Sequence, residues 1–331
     1  HNYNQPSREA MYRFFMKHLA GKDGYEDYTE PPFEVAPEEA LRVFPNKEAL
    51  AEWPDMDALI EQFIVRARNK NAWQMEALLS AGPAGREKLA AGYREALGLV
   101  LGTEIPAAND LAPERVAREE REDYVIERWV LGRTGAGDAI PALFYRGKDA
   151  DPQDAVLLVH GEGKAALGDA ATNGPGALIL GLIAQGKAVL AIDTFLTGEH
   201  HAPGARTVRH MEGGFMDTFQ PTDTAYRIQD VLTAIAWLQS RRDLNDRIDV
   251  VGLGAAGMWT AFAAALQKDG VGTVLADLDN FPVQDDQAWA SRYYMPCIRA
   301  IGDLMAAAAV VAVERPNSLH LFNAVQGVEP P

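Results

Sequence analysis

Chemistry in this chain centres on Asp249-Val-Val-Gly-Leu-Gly-Ala-Ala-Gly-Met258, an apolar strand that turns into a helix through three glycines. Two chemistries use such a turn. Gly252, Gly254 and Gly257 fit G-x-G-x-x-G, the spacing that brings a backbone and a helix N-terminus against a pyrophosphate. Asp277 or Asp279, at the end of the next strand, stands where an acid would bind the ribose of that dinucleotide. The same turn also reads as a nucleophile elbow of the form G-x-S-x-G, in which small flanking residues let one side chain stand exposed over a sheet, and here Gly254 occupies the serine position. Position favours the elbow, because a dinucleotide fingerprint usually sits on the first strand of its sheet and this turn follows a hairpin and two apolar strands. A third use is structural, since small residues let a helix pack closely. Gly254 has no side chain, so covalent catalysis at this elbow is impossible, and no Ser, Cys or Asp between Gly252 and Gly257 could take over.

Other polar groups offer less. Glu199, His200, His201, His210, Glu212 and Asp217 combine imidazole with carboxylate, donors that suit zinc or manganese. Their spacing matches no metal motif, and a solvated loop over the carboxyl edge of a sheet is expected, with neither metal nor cofactor. Tyr226, Arg227, Asp230 and Trp237 fall at helical spacing, as in a helix packed on a sheet with a surface ion pair. His320 alternates with apolar neighbours in Leu319-His-Leu-Phe322 and reads as a strand residue rather than a base.

The elements that must position these groups are legible from period and punctuation. From Ser7 to about Gly102 the pattern is helical, with segments opening at Ser7, from Met56 to Leu79 and from Arg86 to Leu101, broken at Pro31-Pro32, Pro45, Pro54 and Gly82-Pro83. Tyr124 to Tyr145 alternates with period two around Gly132-Arg-Thr-Gly-Ala-Gly-Asp138, a hairpin at a sheet edge. Apolar strands at Ala155–His160, Ala188–Asp193, Ile248–Leu253 and Thr273–Asp277 then alternate with helices near 176–185, 224–240, 258–267 and 302–309. A last strand is expected at Val310–Val313 or Leu319–Phe322. Unbroken apolar strands separated by helices predict an α/β fold, a mainly parallel sheet flanked by helices, preceded by a helical N-terminal region. The expected division is residues 1–120 and 121–331.

Composition sets the bounds. A chain of 331 residues with 47% hydrophobic content can bury a large core. With 47 acidic against 31 basic residues the formal net charge is -16, which repels phosphate backbones and anionic lipid surfaces and argues against nucleic-acid and membrane-surface partners. The single Cys297 excludes an internal disulfide and a Cys-rich metal site. No apolar run approaches the roughly 20 residues that span a bilayer, and the polar stretch His1 to Arg8 has no signal-peptide core, so the chain reads as soluble. It opens on His1 rather than methionine and is expected to be a piece of something longer.

Three stretches resemble a known family: Val156-Leu-Leu-Val-His-Gly-Glu-Gly-Lys-Ala-Ala-Leu167, Ile192-Asp-Thr-Phe-Leu-Thr-Gly-Glu199, and Asp223-Thr-Ala-Tyr-Arg-Ile-Gln-Asp-Val-Leu-Thr-Ala-Ile-Ala-Trp-Leu238 ahead of the elbow. They are similar to the acetyl-xylan-esterase-like and dienelactone-hydrolase-like proteins of the α/β-hydrolase superfamily, often encoded as two tandem hydrolase domains. The resemblance implies that residues 121–331 form an α/β-hydrolase-like domain, with oxyanion donors at Gly161 or Glu162 and at Ala255. It implies that residues 1–20 are the tail of an upstream hydrolase domain whose catalytic base is His1. A carbohydrate-ester ligand, a partner hydrolase domain and an extracytoplasmic location in polysaccharide degradation follow from the same resemblance. With glycine at the elbow, the expected function is a degenerate esterase domain serving as a structural or substrate-associating module. An active ester hydrolase using groups outside the elbow or a missing segment, and a dinucleotide-binding module, remain the alternatives.

Overall fold

The computed structural model describes residues 3–44, 53–148, 153–172, 174–201, 209 and 216–325. Residues 1–59 and 60–331 form two compact units. The first holds helices α1 (Gln5–His18) and α2 (Glu38–Leu41). Asn4 caps α1 by accepting from the Ser7 N–H, and Glu9, the buried residue of that helix, accepts from the Glu30 N–H at 2.9 Å.

Helix α3 (Met56–Ser80) crosses from one unit into the next and is followed by α4 (Gly82–Leu101), which ends on Gly102 at φ +60°, a left-handed cap suited to glycine. The remaining elements are β1 (Glu114–Glu120), β2 (Tyr124–Leu131), β3 (Ile140–Gly147), β4 (Gln153–His160), a two-stranded ribbon β5 (Gly168–Asp169) and β6 (Gly174–Pro175), α5 (Ala177–Ala184), β7 (Ala188–Ile192), α6 (Met216–Phe219), α7 (Asp223–Ser240), β8 (Leu244–Leu253), α8 (Ala256–Leu266), β9 (Val271–Asp277), α9 (Asp286–Arg292), α10 (Asp303–Glu314) and β10 (Leu319–Phe322). Eight strands make one sheet in the order β1-β2-β3-β7-β4-β8-β9-β10. The first four pair antiparallel, and β7, β4, β8, β9 and β10 run parallel, so their carboxyl ends share one edge.

Alternation along the apolar strands divides the core. Leu157, Val159, Leu190, Val250 and Val274 face one side, where α7, α8 and α10 pack and α4 joins them through Leu89, Ala90, Leu97 and Leu101. The Ala-rich α8 is buried at every one of its positions, its small side chains allowing a close approach from all sides. Val156, Leu158, Val189 and Ala191 face the other side, covered by Ile179, Leu182 and Ile183 of α5. On that second face Val251 and Leu253 of β8 are only half-buried.

Two expectations are corrected and one open alternative is resolved. Residues 114–120, within the stretch expected to be helical, form β1: its Glu-Arg-Val-Ala-Arg-Glu-Glu sequence lacks an apolar face because it is a mostly exposed edge strand. The hairpin of β2 and β3 therefore lies inside the sheet rather than at its edge. Val310–Val313 belong to α10, where the run from Ala306 continues the helix, and the last strand is Leu319–Phe322.

The uneven cover has a measurable consequence. Leu157→Ala, at a fully buried site in β4, should cost about 2–5 kcal/mol, and Val251→Ala on the half-covered face about 1 kcal/mol, read from the urea midpoints of the two variants.

Candidate functional site

Strand β8 leaves the sheet through Gly254 at φ +59°, and Ala255 (φ -55°, ψ -24°) opens α8. The Gly257 N–H closes the turn on the Gly254 carbonyl at 3.0 Å. Each glycine has its own reason. A Cβ on Gly252 would strike the Thr260 hydroxyl and the Ala256 carbonyl, and one on Gly257 would strike the Asp277 backbone, so both are demanded by helix–sheet contact. A Cβ on Gly254 would meet nothing within 4 Å. The turn thus keeps the left-handed residue and the open space of a nucleophile elbow, with no hydroxyl to fill it.

The expected oxyanion donors fare unequally. The Gly161 N–H donates to the Leu253 carbonyl at 3.0 Å, and the Glu162 N–H donates to His160 Nδ1 at 3.1 Å. Both are engaged within the chain in this conformation, and the Ala255 N–H alone of the three has no partner among the described residues. The His160 ring thereby spends Nδ1 on its own loop.

Asp277 ends β9 and turns back on the elbow. Its Oδ2 accepts from the Gly254 N–H at 3.1 Å, and its Oδ1 accepts from the Asp279 N–H and from Asn323 Nδ2, both at 2.9 Å. Burial opposes its ionisation, but the hydrogen bonds from Asp279, Asn323 and Gly254, with the nearby His160, outweigh it and hold the carboxyl below its ordinary range. Both oxygens thus accept hydrogen bonds from within the protein.

Two further carboxylates hold the loop after β7. Asp193 is buried, accepts from the Lys164 N–H at 2.6 Å and from the Glu199 N–H at 2.9 Å, and pairs with Lys164 Nζ, which also reaches Glu199 at 2.7 Å. It thereby ties the loop after β4 to the loop after β7. Asp230 Oδ2 accepts from the Phe195 N–H at 2.6 Å, while Arg227 Nε donates to the Phe195 carbonyl at 2.9 Å, so one face of α7 grips a single residue from both sides. Burial dominates at Asp230 and raises its carboxyl well above the ordinary value, the Phe195 hydrogen bond and the Arg133 and Arg227 charges offsetting only part. Tyr226 packs on the Phe195 ring at 4.9 Å. Trp237 lies apart, in the core against Trp129 and Phe144.

Among the described residues no group of three or more His, Cys, Asp or Glu could hold a metal ion. Burial lowers the His200 pKa, and Glu199 is spent on Lys164. His210 and Glu212 lie outside the described residues, as does His1, and the Asp217 side chain is likewise not described. His320 is exposed in mid-strand opposite Leu275, short of the edge where the elbow lies. Sequence reasoning missed Asp193, Lys164 and Asn323; the signal for Asp193 was a lone carboxylate closing an all-apolar strand.

No protein-family model matches the chain. Among solved structures, a provisionally assigned acetyl xylan esterase from Bacteroides fragilis superposes with a TM-score of 0.58 at 17% identity, covering 73% of this chain and 69% of that one. The fold is that of the α/β-hydrolases. Methylesterase BT1017 gives 0.53 at 15% identity, over 76% of this chain and 55% of its own, and a promiscuous CE15 esterase from a marine bacterial metagenome gives 0.51 at 11%, over 69% and 72%. By sequence, YtaP of Bacillus subtilis (strain 168), a provisionally assigned hydrolase, is 28% identical over 189 residues, 52% of this chain and 59% of that relative. The alignment thus spans about three-fifths of YtaP. Among the described residues no helix is long and apolar enough to cross a membrane.

The glycine assignments separate in thermal unfolding: Gly254→Ala should cost about 1–2 kcal/mol, the left-handed penalty alone, and Gly257→Ala about 3 kcal/mol or more, because the helix must move. Asp230 gives a pH dependence. A carboxyl whose folded pKa is raised contributes stability present below the unfolded pKa and lost as pH rises through the folded one. Asp230→Asn should therefore gain in melting temperature relative to the parent as pH rises from about 4 to about 8.

Proposed function

We propose that this chain is a non-catalytic α/β-hydrolase-fold module, descended in design from a carbohydrate esterase, that associates with carbohydrate esters or supports an active hydrolase domain of the same precursor. The observation that carries it is Gly254, the one residue at which the elbow geometry leaves open space for a nucleophile and the sequence supplies no side chain. Covalent ester hydrolysis needs an activated hydroxyl or thiol, a base and an oriented acid. The Gly161 N–H is committed to Leu253 and the Glu162 N–H to His160, and this supports the reading from the side of the oxyanion donors. An extracytoplasmic setting is part of the proposal and rests on the resemblance to polysaccharide-degrading esterases.

The dinucleotide reading is less favoured, since the turn follows β8 in the middle of the sheet rather than its first strand and Asp277 accepts from the Gly254 N–H of the elbow. No rise in melting temperature with millimolar NAD is expected.

The deciding experiment measures p-nitrophenyl acetate hydrolysis and fluorophosphonate labelling in the purified chain and in Gly254→Ser. The parent should match buffer and take no label, and Gly254→Ser, lacking a base, should show no turnover. Turnover by the parent would mean that an active esterase site lies outside the elbow. Retardation in a gel containing acetylated xylan, but not deacetylated xylan, is expected of the substrate-associating role.

A further inference from the structure

The large sheet has two edges, and they are finished differently. Edge strand β1 carries Glu114, Arg115, Arg118, Glu119 and Glu120 and is broken by a bulge between Arg115 and Ala117, two devices by which proteins keep an edge from pairing. Edge strand β10, Leu-His-Leu-Phe, has neither device: it holds no Lys, Arg, Asp, Glu or Pro, and its register with β9 runs without a shift. Its Phe322 is 51% exposed. We propose that β10 is the docking edge for a second copy of this chain, whose own β10 adds antiparallel across a two-fold axis at His320.

The backbone sets that register. Along a strand, successive residues turn their N–H and C=O groups to alternate sides. The Val274 N–H donates to the Ser318 carbonyl at 2.7 Å and the Leu278 N–H to the Phe322 carbonyl at 2.9 Å, so Ser318, His320 and Phe322 address β9. Leu319 and Leu321 therefore turn theirs to the open edge, where no strand pairs with them among the described residues. An open row of this kind is a template for another strand, and main-chain hydrogen bonds supply the affinity when one is added.

A second β10 fits that row. With the two-fold axis at His320, Leu319 of each copy lies opposite Leu321 of the other, and the outward N–H and C=O groups of all four leucines are paired. The axis stands perpendicular to the sheet, so side chains keep their faces. Leu319 and Leu321 stay on the face packed against the main core, and His320 and Phe322 share the other. There His320 meets His320 of the other copy at a close, non-hydrogen-bonded position, and Phe322 reaches the same imidazole along the diagonal. The exposed Phe322 ring thereby gains cover that its own chain does not give it. Left-handed Asn317 (φ +63°) and Asn323 (φ +47°) bracket the strand and limit the pairing to this short run.

The test is sedimentation velocity of the full chain from low micromolar to submillimolar concentration, in salt of about 0.15 M to screen the net charge of -16 on each copy. A reversible, concentration-dependent doubling of mass is expected. His320→Lys touches no hydrogen bond or ion pair of the described fold and sets two like charges face to face across the axis, so it should raise the dimer Kd about tenfold or more. Leu321→Pro, which removes an N–H that only the second copy would use, is the second variant and should weaken the dimer as well. Val116→Lys, on the exposed β1 edge, should leave the mass distribution of the parent unchanged. Circular dichroism of each variant checks that the fold is kept. A single-chain mass at every concentration overturns the proposal, as does a dimer that His320→Lys leaves intact or that Val116→Lys dissolves. None of these outcomes bears on the elbow.

Discussion

Helix α8 approaches β8 and β9 so closely that its first turn and the strand before it can carry no Cβ where they face each other. Gly252 is closed off by Thr260 and Ala256, and Gly257 by the backbone of Asp277. All of α8 is buried, and α7, α10 and, behind them, α4 are laid against its small side chains. If α8 moved outward to admit a methyl group at 257, it would carry those helices with it, because a packed interior transmits displacement rather than absorbing it. The sharp strand-to-helix turn is therefore fixed by packing, and chemistry need play no part in maintaining it.

The carboxyl edge of the sheet is organised by three carboxylates, each serving backbone N–H groups that loops leave unpaired. Asp193 joins the loops after β4 and β7, Asp230 fixes Phe195, and Asp277 holds the elbow to the ends of β9 and β10. They differ in what balances their burial. Asp193 has a lysine in contact, and Asp277 has three donors and partial access to water. Asp230 has one backbone donor and more distant cations, and its burial pushes it toward its neutral form.

The mainly parallel sheet, the positions of its apolar strands along the chain and the glycine-rich strand–helix turn were legible, because an apolar run between turn residues has few alternatives. Strand β1 was hidden because an exposed edge needs no apolar face, and Val310–Val313 could stand beside Leu319–Phe322 as a candidate last strand because three valines and an alanine carry no period of their own. In the site, Gly254 could be read directly, since the absence of a side chain is a property of sequence. The partners of Gly161 and Glu162 could not, because whether a backbone N–H is free depends on the path of the loop: His160 lies two residues from Glu162, but only the folded turn brings its Nδ1 within 3.1 Å of that N–H. Asp277 drew notice as a possible ribose ligand, and only the position of Asn323, forty-six residues on, decided which way its carboxylate faces.

Glycine at the elbow also changes what the turn costs. A serine held at φ near +59° would store about 1–2 kcal/mol of backbone strain, which an enzyme offsets elsewhere because the exposed hydroxyl is worth more to it than the lost stability. A module without that chemistry gains nothing from the strain, and glycine removes it while leaving the path of the chain unchanged. Gly252 and Gly257 have no such freedom, since any side chain there collides with the sheet or the helix. Glycine at 254 thus relieves the turn without disturbing the two glycines that helix–sheet contact requires, Gly252 and Gly257.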